Sequence, residues 1–171
     1  VLDAHPEWDV KLYYNDYNMD NQGKALAVYN MIKTINENYG KTHPGKLLID
    51  GMGMQGHYSL STDPENVRTS MERFISLGLE ISISELDVRA SRGDGKLDED
   101  YLDAQALQYA RLFSVFKAKA AHIRRVTFWG LDDSQSWLNA QRPLLFDERL
   151  TAKPAYYGVI EPERIIAESK K

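Results

Sequence analysis

Hydrophobic and polar positions alternate along this chain in short runs, and each run ends in residues that carry chemistry. In Ile81-Ser82-Ile83-Ser84-Glu85-Leu86-Asp87-Val88, the apolar residues Ile81, Ile83 and Leu86 are interleaved with small or charged ones. That alternation and the β-branched content mark a buried strand with Glu85 at its carboxyl end. Three other runs are built alike. Residues 11–14 lead into Asn15-Asp16-Tyr17-Asn18, 48–52 into Gln55-Gly56-His57, and 125–129 into Gly130-Leu131-Asp132-Asp133. Between the runs the period becomes helical. Ala25, Val28, Ile32, Ile35 and Tyr39 form one stripe over 22–39, with Gly40 as its stop. Asp63-Pro64 reads as an N-cap and a first-turn proline, followed by inward-facing Val67, Met71, Phe74 and Ile75 and ended by Gly78. After a polar loop at 89–96, the longest helix is expected over 99–120, with Leu102, Ala106, Tyr109, Phe113 and Phe116 as its buried stripe. A shorter helix follows Lys153-Pro154, and a polar tail begins at Glu161.

The strands recur roughly every 30 to 45 residues, the size of a βα unit. Units that all run one way predict an α/β fold with a parallel sheet and right-handed crossovers. A closed (β/α)8 barrel takes about 250 residues, and 171 residues hold four units as one domain. An apolar content of 43% supports a core, and a net charge of -4 leaves no basic footprint for nucleic acid. No apolar run approaches the length of a membrane span. The absence of cysteine removes thiolate chemistry and disulfide scaffolds. The chain opens on Val1 with no signal-like segment, so its N-terminus reads as cut.

Gly51-Met52-Gly53-Met54-Gln55-Gly56 matches the dinucleotide pattern G-x-G-x-x-G, yet no helix opens at Gly56 to hold a pyrophosphate. Close backbone approach at a barrel strand explains these glycines better. Asp98, Glu99 and Asp100 read as acids at a helix start. Asp132-Asp133 lack a second ligand cluster, so no metal is expected. Taken singly, Glu85, His57, Trp129 and Trp137 are ordinary. Four successive strand ends delivering carboxylate, amide, imidazole and indole to one rim are the arrangement of a barrel active site.

At these motifs the chain resembles glycoside hydrolase family 10, the retaining endo-β-1,4-xylanases. Leu12-Tyr13-Tyr14-Asn15-Asp16-Tyr17-Asn18, Ile49-Asp50-Gly51-Met52-Gly53-Met54-Gln55-Gly56-His57 and Ile83-Ser84-Glu85-Leu86-Asp87-Val88 look like that family's fifth, sixth and seventh barrel strands. Thr127-Phe128-Trp129-Gly130, Ser136-Trp137, Pro143-Leu144-Leu145-Phe146-Asp147 and Lys153-Pro154-Ala155-Tyr156 resemble its eighth strand and closing helix. The resemblance implies a TIM (β/α)8 barrel, of which residues 1–171 are the last four βα units and the C-terminal half of the catalytic domain. It implies Glu85 as nucleophile, with His57 and Asp87 in support. Asn15, Tyr17, Gln55, Trp129 and Trp137 would bind substrate, the two tryptophans walling the glycone subsites. The family's acid/base glutamate lies in an Asn-Glu pair ending the fourth strand, upstream of everything matched; residues 1–6 resemble the tail of the helix after it.

The residues suit that chemistry. A retaining glycosidase pairs an ionised carboxylate with a second carboxyl about 5–5.5 Å away. Leu86 separates Glu85 from Asp87, so both acids emerge on one side of the strand. An imidazole beside Glu85 favours its ionised form, and Asp87 would fix the ring's tautomer. The expected partners are xylan or xylo-oligosaccharide, plus either the missing N-terminal half-barrel or a second copy of this chain. No cofactor is expected, and the resemblance implies a secreted or cell-surface setting. The strands near Tyr14 and Phe128 are expected to be unpaired edges, with Met52 and Ile83 on the inward barrel face meeting water, so that the chain alone is neither a stable monomer nor an active xylanase. The alternatives are a non-catalytic glycan-binding half-barrel and a self-associating fragment.

Overall fold

The structure, a computed structural model, describes residues 4, 5, 7–91 and 100–170. The expected helix tail at 1–6 falls partly outside these residues, as do most of the loop at 89–96 and the acids Asp98 and Glu99. Strands β1 (Tyr13–Asp16), β2 (Gly51–Met54), β3 (His57–Ser59), β4 (Glu80–Arg89) and β5 (Ile123–Phe128) alternate with helices α1 (Gln22–Gly40), α2 (Pro64–Ile75) and α3 (Tyr101–Ala118). Helices α4 (Pro154–Ile160) and α5 (Pro162–Glu168) close the chain. β1 pairs with β2, β2 with the first half of β4, and β4 with β5, all parallel as the βα periodicity predicts.

Two features of the sheet depart from the sequence reading. β3 is an additional strand: it follows β2 after Gln55-Gly56 and pairs with the second half of β4, setting His57 opposite Asp87. The break is made by Gly56, whose φ of +81° is a left-handed conformation that costs glycine little. Glu85 is also not at a strand end, because β4 continues to Arg89. The register with β5 slips instead: Ile83 pairs with Val126 and Leu86 with Phe128, so Ser84 and Glu85 together face Thr127 alone. That bulge re-aims the glutamate as a strand end would have done.

Period-2 alternation divides the sheet into two faces, and the structure reverses the expectation for one of them. Met52 and Ile83 do not line an open barrel face. With Met54 and Ile81 they are wholly buried, in one cluster with Ile32, Val67, Met71, Phe74, Tyr109 and Leu112 from the helices. The opposite face carries Tyr13, Asn15, Gly51, Gly53 and Ser82, with Arg125 Nε donating to Ser82 Oγ at 3.0 Å. The apolar residues of β2 and β4 are spent on the helix layer, so the concave face is polar and small. At the amino ends of the strands, Glu80 accepts from Tyr13 Oη at 2.7 Å and from Arg124 at 2.5 Å. The Arg124 and Tyr13 hydrogen bonds hold the Glu80 carboxyl down at about 2, and burial with the Glu80 contact pushes the Tyr13 phenol up to about 12.

The helices follow their local signals. Asn21 caps α1 and Asp63 caps α2, where Pro64 takes the first turn. Ala25, Val28 and Ile32 are buried as their spacing predicts, and Asn36 joins them. Asn36 Oδ1 accepts from the backbone of Leu48 and Ile49, tying α1 to the segment entering β2. On α3, Ala106, Tyr109 and Phe116 are buried, but Leu102 is exposed. Gln105 and Gln108 are buried instead, because this end of α3 meets backbone carbonyls that need amide donors. Gln105 Nε2 donates to the carbonyls of Val88 and Arg142, and Gln108 Nε2 to those of Ser59 and Thr62. The tail expected from Glu161 is helix α5, started by Pro162 and supported by Arg164 pairing with Glu161 and Glu168.

Candidate active site

The bulge in β4 sits where β1, β2, β3 and the segment after β5 converge. From β1, Asn15 reaches across β2 because Gly53 has no side chain there: a Cβ at Gly53 would lie 2.4 Å from Asn15 Oδ1. Gly51 makes the same room for the Tyr13 ring. The glycines of the false dinucleotide motif thus admit side chains of the neighbouring strand, where the sequence suggested backbone approach. Asn15 Oδ1 accepts from Ser84 Oγ at 2.6 Å, and Asn15 Nδ2 donates to Glu85 Oε1 at 3.2 Å. The Glu85 amide donates to the Gln55 carbonyl at 2.8 Å.

The second oxygen of Glu85 faces His57 Nε2 at 3.3 Å, and His57 Nδ1 meets Asp87 Oδ2 at 2.9 Å. Both acids therefore lie on one side of β4, as the spacing predicts, with an imidazole between them. Asp87 is wholly buried, while Glu85 keeps some exposure. Burial opposes a charged His57, but the hydrogen bonds and charges of Asp87 and Glu85 outweigh it and hold the ring's pKa above its ordinary value. Trp137 Nε1 donates to the same Asp87 Oδ2 at 2.9 Å, and its ring meets His57 edge-on at 5.1 Å.

Trp137 is nonetheless 63% exposed, Trp129 47% and Tyr17 54%. Tyr17 follows the end of β1 and Trp129 the end of β5, while Trp137 meets His57; exposed aromatic faces at these strand ends suit flat, amphipathic ligands. Tyr17 is braced from behind by Lys24, whose Nζ lies 3.8 Å from the ring centroid and pairs with Asp16 at 2.8 Å. Burial raises the Asp16 pKa, but hydrogen bonds from Lys24, the Tyr17 amide and Tyr14 outweigh it, and the net shift is downward. The segment bearing Trp137 is anchored by buried Lys153, which donates to Asp133 Oδ2 at 2.9 Å and to the carbonyls of Arg142 and Leu144 at 2.8 Å each.

Of the residues singled out in the sequence, Glu85, His57, Asp87, Asn15 and Trp137 form one connected network. Gln55 joins it through its backbone carbonyl, and Tyr17 and Trp129 stand just past the ends of β1 and β5. Ser84 and Lys24 were not foreseen. The signal for Ser84 was its place beside Glu85 in the strand; nothing local marks Lys24.

Parallel βα units that bring polar and charged side chains to the carboxyl ends of their strands are the arrangement of a (β/α)8 barrel of the enzyme class. Comparison with known proteins carries this further. The profile of glycosyl hydrolase family 10 matches residues 3–162. Endo-1,4-beta-xylanase A of Thermoanaerobacterium saccharolyticum is 38% identical over 161 residues, covering 93% of this chain and 13% of that protein. Endo-1,4-beta-xylanase of Geobacillus stearothermophilus is 34% identical, covering 92% of this chain and 49% of its own length. A family 10 xylanase with a bacterial Ig-like domain from termite gut superposes with a TM-score of 0.89 at 32% identity, over 99% of this chain and 41% of that one. An intracellular xylanase of T. saccharolyticum, crystallised as a mutant with xylotetraose, gives 0.79 at 40% identity over 92% and 46%.

The chain belongs to glycosyl hydrolase family 10 and covers part of that family's TIM barrel. It spans from 13% to about half of the length of these relatives and corresponds to the C-terminal part of family members. No helix among the described residues is long and apolar enough to cross a membrane, and the intracellular relative means that family membership fixes no compartment.

Proposed function

We propose that this chain supplies the nucleophile side of a retaining endo-β-1,4-xylanase, the C-terminal half of the catalytic barrel. The observation that carries the reading is the double hold on Glu85, with Asn15 on one carboxylate oxygen and His57 on the other. A carboxylate fixed in this way is aimed for attack on an anomeric carbon with little reorganisation. His57 and Asp87 orient and charge-balance it. Asp87 is sealed from solvent and occupied by two donors, so it serves the ring and not the substrate.

Xylan lies across the exposed faces of Tyr17, Trp129 and Trp137, with Gln55 and Asn15 hydrogen-bonding the sugar at the cleavage point. The acid/base carboxyl comes from outside residues 1–171, on strands that close the barrel beside the edges of β1 and β5. Those strands belong to the N-terminal half-barrel or, less productively, to a second copy of this chain, which would bring two nucleophiles and no acid. Without the acid, the leaving oxygen of a xylosidic bond forgoes roughly 10²–10⁴-fold of catalysis. Polymeric xylan cannot cross a membrane, which favours a secreted or cell-surface setting.

Replacing Glu85 by alanine in the chain joined to the rest of its barrel tests this reading. Turnover of an activated aryl β-xylobioside should be lost, and azide should restore release of the aryl group with formation of the inverted glycosyl azide. Retained hydrolysis in Glu85→Ala would overturn it, leaving a glycan-binding half-barrel as the better reading of the same aromatic surface.

A further inference from the structure

Trp137 has one polar atom, and that atom is spent on a carboxylate that already holds His57. We propose that Trp137 is a positioning residue whose indole N–H, by sharing Asp87 Oδ2 with His57 Nδ1, sets how strongly Asp87 holds the imidazole and so how that ring meets Glu85. Both donors converge on one oxygen, each at 2.9 Å. Asp87 Oδ1 is buried with no hydrogen-bond partner among the described residues, so the anion's interactions are concentrated on Oδ2. Hydrogen bonds to a charged acceptor are strong, and two donors on one oxygen each weaken the other.

His57 is sensitive to that competition because each ring nitrogen faces a carboxylate oxygen. The imidazolium can donate to both Asp87 and Glu85. The neutral ring with its proton on Nδ1 satisfies Asp87 and turns a lone pair toward Glu85. The charged groups facing His57 are Asp87 and Glu85 from β4. Asn15 from β1 acts on Glu85, and Tyr109 from α3 senses the Asp87 charge while donating to the Pro143 carbonyl. Trp137, from the segment after β5, is the neutral donor in this set. Its N–H draws on Asp87 and moderates the pull toward the imidazolium. Since the same indole is largely exposed, a sugar stacked on it would lean on this link; that last step rests on the xylanase reading, whereas the link itself does not.

The test is isosteric replacement of Trp137 by β-(3-benzothienyl)alanine, which keeps the bicyclic shape and puts sulfur where the N–H was. His57 is titrated by NMR of its ring in the barrel that contains this chain, with Trp137→Phe as a second variant. Without the donor, Asp87 should favour the imidazolium more, and the His57 pKa should rise by at least about half a unit in both variants. An unchanged or lower value in the benzothienyl variant would overturn the proposal, including when Trp137→Phe shifts, since the shift would then come from lost packing. Because the readout involves no turnover, either result leaves the assignment of Glu85 to be judged by its own experiment.

Discussion

Adding one methyl group at Gly53 should disturb the Glu85 carboxylate on the neighbouring strand. In Gly53→Ala the added Cβ would lie 2.4 Å from Asn15 Oδ1, 3.0 Å from its Cγ and 3.1 Å from its Cβ. Asn15 has to swing aside, and with it go the hydrogen bonds from Ser84 and to Glu85. Overpacking of this kind costs about 1–3 kcal/mol, and loss of a hydrogen bond to a charged group about 1.5–3 kcal/mol. Against this stands a gain of roughly 0.5–1 kcal/mol for alanine over glycine inside a strand. Gly53→Ala should therefore destabilise by about 2–5 kcal/mol. In an Asn15→Ala background only the 3.1 Å Cβ contact remains, and the same substitution should come near neutral. Urea unfolding of the four variants, each joined to the rest of its barrel, gives the coupling energy, expected at nearly the full cost, about 2–5 kcal/mol. If Gly53→Ala cost the same in both backgrounds, the glycine would not be there to admit Asn15.

Lys153→Met should destabilise by about 3–5 kcal/mol, because it strands the buried Asp133 carboxylate; urea unfolding measures it, and a loss under about 1 kcal/mol would mean that water replaces the ammonium. His57 has a pKa raised above 6.5 in the folded chain, so its contribution is fully present below pH 6.5 and is lost as pH rises through the folded value. The pH dependence of Tm above 6.5 should accordingly flatten in His57→Gln. Glu80 runs the other way: its folded pKa of about 2 lies below the ordinary 4.5, so its contribution is present above pH 4.5 and disappears as pH falls through about 2. Glu80→Gln should reduce the acid-side slope over that window, and an unchanged slope would show that Arg124 and Tyr13 do not stabilise the carboxylate.

Much of the fold was legible because its signals are local. Asp63-Pro64 caps and opens α2, and the spacing of Ala25, Val28 and Ile32 names the buried side of α1. Parallel pairing followed from the interval between strands. What escaped depends on partners far along the chain. β3 is three residues long and exists through pairing with β4. Period alone puts Leu102 in the core, whereas the packing there calls for amides to satisfy the carbonyls of Val88, Arg142, Ser59 and Thr62, which Gln105 and Gln108 supply. The faces of β2 come out the wrong way round from sequence because Met52 and Met54 read equally well toward barrel or helices. The glycines between them, filled by Tyr13 and Asn15, decide the matter. The candidate site was legible as a set of residues. Its wiring was not, since the bulge at Ser84-Glu85 and the convergence on Asp87 Oδ2 are tertiary facts.

Whether Glu85 forms a covalent bond to sugar is the centre of this account. A 2-deoxy-2-fluoro-β-xylobioside with a dinitrophenolate leaving group needs no protonation to depart, and its glycosyl-enzyme intermediate accumulates. Incubating the barrel that contains this chain with that reagent, followed by proteolysis and mass spectrometry, should place one fluoroxylobiosyl group on the peptide carrying Glu85, and none in Glu85→Gln. A label on any other carboxylate, or stoichiometric release of dinitrophenolate with Glu85 unmodified, would contradict it.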